Sequence, residues 1–259
     1  MKVDSIDVCV PSLSPLNVEF TDRICKLLPV HHLLTSNLKG RGLARQELIK
    51  HVDTEWFVFI DTDVRIKDGF WKTMKSYIEH DDDGIGAVEG LGSYPLDDRL
   101  DKIDKSMSRI AQILHRPDPS EIVTKGFTGD TIIRTSLVKD INIPNINVWE
   151  DEWIRLHIKK RGKSWIRTRE VVCEHERTYN IGEAYESGRY RYAFGRFSPI
   201  REISNLLFKL PLRVVFALFG SGSYSAARLI LDIQLADFKG AIHAHAQGFA
   251  PFQDEVFSA

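Results

Sequence analysis

Residues 56–66 read WFVFIDTDVRI, in which five apolar residues are followed by two carboxylates, Asp61 and Asp63. Apolar runs without polar alternation are typical of strands buried on both faces of a parallel sheet. Ligands bind in such sheets at the edge where the strands end. The stretch therefore predicts an α/β fold with a functional site beside Asp61 and Asp63.

The segments around this stretch alternate between strand and helix patterns. The predicted strands cover 3–10, 28–35, 56–60, 85–92 and 165–176. The predicted helices cover 18–28, 41–52, 69–80, 99–114 and 149–161. Strands that alternate with helices predict a Rossmann-like, mostly parallel sheet.

Composition limits the classes of protein to consider. The chain has 259 residues, 43% of them hydrophobic, and a net charge of -1, so it can bury a large core and has no global attraction to nucleic acid. Cys9, Cys25 and Cys173 lack CxxC spacing, which argues against a disulfide framework or a zinc ribbon. The N-terminus lacks the apolar core of a signal peptide. We expect a cytoplasmic protein with no nucleic-acid partner.

The composition changes from about residue 203. Residues 206–219, LLFKLPLRVVFALF, are almost continuously apolar but contain Lys209, Pro211 and Arg213 and are shorter than the roughly 20 residues of a spanning helix. Residues 224–242 have amphipathic helical spacing. We predict a catalytic domain at 1–200 and, at 201–259, a helical segment that attaches the protein peripherally to a membrane. The alternative is that these helices pack on the catalytic domain or across a homodimer.

The carboxylates of Asp61 and Asp63 allow two interpretations, a metal site or a helix cap. On an extended strand they would point to the same side, roughly 6–7 Å apart along the backbone. Two hard oxygen donors at that spacing suit Mg²⁺ or Mn²⁺ in contact with a diphosphate. The other reading is a loop whose carboxylates only cap the following helix.

A phosphatase is an alternative function. Asp61, Asp63 and Val64 fit the DxDx(T/V) string of haloacid-dehalogenase-type enzymes, in which Asp61 would form an aspartyl-phosphate. That string usually follows the first strand, and a later acidic pair on a second hydrophobic strand is hard to find here. A non-catalytic module that binds nucleotide sugars or membranes is a further alternative.

Six motifs in order carry a family resemblance. They are PS at 11–12, KGRGLARQ at 39–46, FIDTDV at 59–64, GFTGDTIIR at 126–134, WEDEWIRLHIKKRG at 149–162 and EHE at 174–176. Together they resemble the GT-A glycosyltransferases, specifically the inverting family 2, over residues 3–200. The resemblance implies metal-dependent transfer of a sugar from a nucleoside-diphosphate donor, with inversion at the anomeric carbon.

The resemblance also implies roles for individual residues. Asp61 and Asp63 would hold Mg²⁺ or Mn²⁺ on the donor phosphates, and Asp151 of the Glu150–Asp151 pair would be the catalytic base. His175 is either a further metal ligand or a structural histidine. The implied substrate-binding residues are Pro11, Ser12, Arg41, Arg45, Asp61, Gly129, Asp130, Glu150 and Arg191.

Several details of donor and acceptor stay open. Arg45 is expected near the nucleotide, with its guanidinium on a phosphate or a base carbonyl. Gln46 replaces the common Asn, and the second strand ends in LLTSN without the usual acid, so a GDP-linked donor is as plausible as a UDP-linked one. Gly129 and Asp130 are expected on the acceptor side. If the C-terminal segment docks on a membrane, a polyprenyl- or lipid-linked acceptor follows, and a phosphate acceptor would hardly need Asp151 as a base.

Overall fold

The computed structural model describes residues 3–79, 84–99, 101–103, 123, 125–176 and 180–250. Contacts between Cα atoms divide the chain into two compact units. The described part of the first unit is 3–96, 123 and 125–176, and that of the second is 97–99, 101–103 and 180–250. The later junction thus falls between residues 176 and 180, ahead of the boundary predicted at residue 200.

The first unit is built on one seven-stranded sheet. Its strands are β1 (Ile6–Pro11), β2 (Val30–Ser36), β3 (Trp56–Ile60), β4 (Val64–Ile66), β5 (Ile85–Ser93), β6 (Asp130–Arg134) and β7 (Ser164–His175). The spatial order is β2-β1-β3-β6-β5-β7-β4. All five residues of β3 are buried, as the apolar run predicts.

The directions of the strands are more mixed than the sequence predicts. Strand β1 is parallel to β2 and β3, and β5 is parallel to β7. Strand β6 is antiparallel to both of its neighbours, and β4 is antiparallel to β7. The first residue of β6, Asp130, pairs with the last residue of β3, Ile60. Because β6 enters at the carboxyl end of β3, it has to run backwards through the sheet.

Four helices of the first unit match predicted segments. They are α1 (Val18–Leu27), α2 (Arg41–His51), α3 (Phe70–Glu79) and α4 (Glu150–Lys160). The side chain of Asn17 accepts a hydrogen bond from the Phe20 amide at 2.6 Å, which caps the start of α1. Residues 104–114 of the helix predicted at 99–114 lie outside the described residues.

The second unit is helical in its described residues. It contains α5 (Ile181–Ala193), α6 (Pro199–Ser204), a π-helical turn (Asn205–Lys209), α7 (Leu210–Ser221) and α8 (Tyr224–Gln247). The run Pro199–Gly220 is one helix of 22 residues, long and apolar enough to cross a membrane by length and composition. The apolar segment predicted at 206–219 is thus part of a longer helix, because α6 extends it at its N-terminal end.

Candidate active site

Asp61 and Asp63 lie in a turn between β3 and β4. The carbonyl oxygen of Asp61 accepts a hydrogen bond from the amide of Val64 at 3.0 Å, and β4 begins at Val64. The extended geometry predicted for this pair is therefore wrong. Strand β4 pairs with β7, at the far edge of the sheet from β3, so the chain must turn as soon as β3 ends.

Gly129 borders the Asp61 carboxylate. The Asp61 amide donates to the Gly129 carbonyl at 2.9 Å. A Cβ atom on residue 129 would lie 3.1 Å from Asp61 Oδ2 and 2.6 Å from the ring of Phe127. A side chain here would have to displace the Phe127 ring and press on Asp61, which favours glycine at this position of the GFTGD segment.

Arg45 connects the two acidic motifs. The residue lies on α2 and is only 2% exposed. Nη2 donates to both carboxylate oxygens of Asp61, at 3.0 and 3.2 Å. Nη1 donates to Glu150 and lies 4.0 Å from Asp151 Oδ1. Sequence reasoning expected these donors on a nucleotide, whereas the structure places them on carboxylates.

The cluster holds three carboxylates around one cation. Burial raises the pKa of Asp61, and the nearby Arg45 offsets only part of this effect. Burial and the charge of Asp151 raise the pKa of Glu150 to about 8. Burial alone would lower the pKa of Arg45, but the three carboxylates raise it, so the guanidinium stays charged. Glu150 therefore carries the proton of this cluster at neutral pH.

Asp151 is the more accessible carboxylate of the ED pair. It lies in the first turn of α4, where the partial positive charge of the helix end favours an anion. Its side chain is 14% exposed, and within the described residues Oδ1 has no hydrogen-bond partner. The preceding residue, Trp149, has a left-handed backbone with φ 72°, which is uncommon for a bulky residue and marks this turn as strained.

His175 lies in a different group from the one predicted. Its Nε2 atom is 3.8 Å from Asp130 Oδ2 and 3.8 Å from Cys173 Sγ. Among the described residues, Asp61, Asp63 and His175 do not form a group whose ligand atoms all lie within 4.8 Å, whereas Asp130, Cys173 and His175 do. A role for His175 at the donor metal stays a prediction. The Asp130 carboxylate is fully buried, which leaves it closed to an acceptor hydroxyl in this structure.

Three more predicted residues lie near the strand ends. Pro11 ends β1, and the amide of Ser12 donates to the Ser36 carbonyl at 2.9 Å. Arg41 begins α2, and its charge acts on Asp61. These residues share the carboxyl edge of the parallel part of the sheet with Asp61, which is the edge the sequence predicts for the site.

Arg191 has other partners. It lies on α5 in the second unit, where its guanidinium pairs with Glu202 and, at 2.7 Å, with Asp237. Two acidic side chains from neighbouring helices thus pair with it within the helical unit, and its predicted contact with substrate stays a prediction.

Comparisons with known proteins agree with this fold. Residues 18–123 match the sequence model of glycosyl transferase family 2. A solved mannosyltransferase, PcManGT from Pyrobaculum calidifontis, in complex with GDP-Man and Mn²⁺, is 13% identical with a TM-score of 0.56 over 93% of this chain and 87% of that one. A mycobacterial protein is 16% identical with a TM-score of 0.52 over 73% of each chain. Residues 18–123 thus resemble glycosyl transferase family 2, and the fold is the GT-A fold that the solved mannosyltransferase shares. No curated protein matches the sequence.

Sequence reasoning missed one residue that shapes the candidate active site. Glu152 is fully buried and accepts hydrogen bonds from the Gly126 amide at 2.9 Å and from Arg155 at 2.7 Å. It ties the segment before β6 to the start of α4. The only signal in the sequence is a third acid after Glu150 and Asp151, which a helix N-terminus explains equally well.

Proposed function

We propose that this protein is a glycosyltransferase that moves a sugar from a UDP- or GDP-linked donor to an acceptor with inversion at the anomeric carbon, using Mg²⁺ or Mn²⁺. The observation that carries the proposal is the Arg45 bridge, which puts the DTD turn and the start of α4 into one hydrogen-bonded cluster. The complex of PcManGT with GDP-Man and Mn²⁺ supports a nucleotide-sugar donor and a divalent metal.

The residues at the DTD turn fit a divalent cation. Asp61 and Asp63 offer hard oxygen donors, and the side chain of Asp61 is 26% exposed. One guanidinium faces three carboxylates here, so the cluster has an excess of negative charge. A bound cation would neutralise the diphosphate of the donor as it leaves.

Asp151 is the proposed base. Its side chain is 14% exposed although Oδ1 itself is buried, so the proton of an acceptor hydroxyl would go to the exposed part of the carboxylate, and the buried Glu150 next to it is held in the protonated form by the cluster. Direct displacement needs the base and the leaving diphosphate on opposite faces of the sugar. Asp151 and Asp61 are separate carboxylates linked through Arg45, which supports that division of labour.

The proposed acceptor is polyprenyl- or lipid-linked, and the proposed location is the cytoplasmic surface of a membrane. Only 11% of the most apolar 18-residue stretch of Pro199–Gly220 is buried. Its exposed apolar side chains are Ile200, Ile203, Leu207, Phe208, Leu212, Val215, Phe216, Leu218 and Phe219. Lys209 and Arg213 lie among them, and such side chains keep their charge in the headgroup region while the apolar residues enter the bilayer.

Donor binding tests the first part of the proposal. The melting temperature should rise with one nucleoside diphosphate, and only when Mg²⁺ or Mn²⁺ is present, because a ligand of the native state stabilises it. Asp63→Asn should remove this shift, and Asp68→Asn, an exposed carboxylate nearby, should leave it unchanged. No shift with UDP, GDP or CDP, together with hydrolysis of a simple phosphate ester, would favour the phosphatase.

Product analysis tests the second part. Asp151→Asn should lower kcat by roughly 10²–10⁴-fold with little change in donor affinity, which is the usual contribution of a general base. The anomeric configuration of the product, measured by proton NMR, should be opposite to that of the donor. Retention of configuration would rule out direct displacement, and full activity of Asp151→Asn would point to an acceptor that is already ionised.

A further inference from the structure

A β-bulge in β2 brings two consecutive histidines together. Between two paired positions of β1 and β2, the single residue Asp7 faces two residues of β2, His31 and His32. On a regular strand, neighbouring side chains point to opposite faces of the sheet. The rings of His31 and His32 instead have centroids 4.0 Å apart, because the extra residue of a bulge redirects a side chain.

The two histidines share the carboxylate of Asp7. Nδ1 of His32 lies 3.2 Å from Asp7 Oδ1. One ligand atom from each of the three residues lies within 4.8 Å of the other two. Two ligand atoms that bind one ion at about 2.1 Å are about 3.0 Å apart at a right angle and about 3.4 Å apart at a tetrahedral angle. Asp7 and His32 therefore have the separation of two ligands of one ion, and His31 supplies the third.

Backbone amides hold the Asp7 carboxylate in place. Oδ2 accepts hydrogen bonds from the amides of Asp53 at 2.6 Å and Thr54 at 3.0 Å, and Oδ1 accepts one from the His32 amide at 3.1 Å. A carboxylate oxygen accepts about two such bonds, so Oδ2 is filled and Oδ1 keeps a lone pair for an ion. Burial tends to raise the pKa of Asp7, but the amide hydrogen bonds lower it overall, so the carboxylate is ionised. Hydrogen bonds of this kind commonly orient the carboxylates that bind metals.

We propose that Asp7, His31 and His32 bind a zinc ion at this bulge. Zinc binds imidazole nitrogen and carboxylate oxygen, and three ligands from the chain leave its fourth position to water. Mg²⁺ prefers sites made of oxygen donors alone, so this donor set differs from the one at the DTD turn. Asp7 is buried and both histidines are exposed, so an ion can enter from solvent between the histidine rings.

The bulge lies at the other end of β1 from the candidate active site. Roughly 13 Å of strand, at about 3.3 Å per residue, separates Asp7 from Pro11, which lies at the carboxyl edge. Strand β2 is an edge strand of the sheet. Asp7 also holds the turn before β3 through the amides of Asp53 and Thr54. A zinc ion here would therefore tie the start of the edge strand to β1 and to that turn.

Calorimetric titration with Zn²⁺ tests the proposal. The starting protein is Asp63→Asn, which weakens the donor-metal site. His31→Gln or His32→Gln in this background should lower the Zn²⁺ affinity by at least about tenfold, because each removes one of three ligands. His51→Gln, which removes an exposed histidine outside the cluster, should leave the affinity unchanged. Asp7 is kept, because its replacement would also disturb the amide hydrogen bonds.

Hydrogen exchange gives a second readout, which does not depend on activity. Zn²⁺ should slow amide exchange in Val30–Ser36 of the unaltered protein and of His51→Gln, because the ion ties down the edge strand. It should not slow exchange there in the double variant His31→Gln/His32→Gln. The proposal is overturned if the histidine substitutions leave the Zn²⁺ affinity unchanged, or if Zn²⁺ has no effect on exchange in this strand of the unaltered protein.

Discussion

Arg45 is the residue on which the geometry of the active site depends. It is buried and bridges Asp61 and the protonated Glu150, so its removal leaves the Asp61 carboxylate without its cation in a poorly solvated place. We expect Arg45→Met to lower the free energy of unfolding by about 3 kcal/mol, the lower end for a broken buried ion pair, because Glu150 is already protonated and only Asp61 loses an opposite charge. Urea denaturation measures this. Arg65→Met, which removes a half-exposed pair with Glu176, should cost less than about 1 kcal/mol.

Glu150 predicts a pH dependence of stability. Its pKa rises from 4.5 to about 8 on folding, so between these values the folded state holds a proton that the unfolded state has released. The free energy of unfolding should therefore fall as pH rises from 4.5 to 8, by at most about 1.4 kcal/mol per pH unit for this one proton. Glu150→Gln should make the decline shallower. Chemical denaturation at a series of pH values in chelator checks this, and parallel curves for the two proteins would contradict it.

At the residue scale, the sequence predicted which acids to examine but not what they touch. Motif and spacing identified Asp61, Glu150 and Asp151 as candidate site residues. Their link through Arg45 joins positions 105 residues apart, which no local pattern encodes. Cys173 was missed as a neighbour of Asp130 for the same reason, since the two residues lie on strands separated by β5.

At the element scale, periodicity located β1, β2, β3, β5 and β7 and the four helices of the first unit, because burial of one face depends only on neighbouring residues. It did not predict β4, β6 or α5. Strand direction was harder to predict. The antiparallel course of β6 depends on where the chain re-enters the sheet, at the carboxyl end of β3, and that point is set by tertiary contacts such as the bond from the Gly126 amide to Glu152.

The crossing of α5 and α8 carries a prediction at this scale. A Cβ atom on residue 188 would collide with the backbone carbonyl of Asp237, and one on residue 240 with that of Tyr185. Backbone cannot move aside as a side chain can, so Gly188→Ala should cost about 2–3 kcal/mol. Gly182→Ala, near the start of α5, meets only the side chain of Asn180 and should be neutral or slightly stabilising. Thermal unfolding of the two variants compares them, and equal melting temperatures would contradict the close crossing.

For the whole molecule, composition predicted an apolar C-terminal region, and the structure adds that it forms a continuous helix of 22 residues with most of its apolar surface uncovered. The sequence placed a break here because Lys209, Pro211 and Arg213 interrupt the apolar run. A proline is tolerated near a helix start, and α7 begins with Leu210 and Pro211 within a longer helical run. Length alone therefore does not separate a helix that lies on a bilayer from one that crosses it.

Vesicle binding tests the proposed membrane attachment. Phe208 and Phe219 are 67% and 80% exposed. Burial of each in the bilayer would contribute about 1.5–3 kcal/mol. The double variant Phe208→Glu/Phe219→Glu should therefore weaken co-sedimentation with anionic vesicles by at least about a hundredfold. Leu13→Glu combined with Leu96→Glu removes two equally exposed apolar residues outside this helix and should leave binding intact. Equal binding by both variants would contradict docking through this helix. Resistance of the bound protein to alkaline carbonate would show that the helix crosses the bilayer, whereas release would place it in the interface, since only a spanning helix is held by the full hydrocarbon thickness.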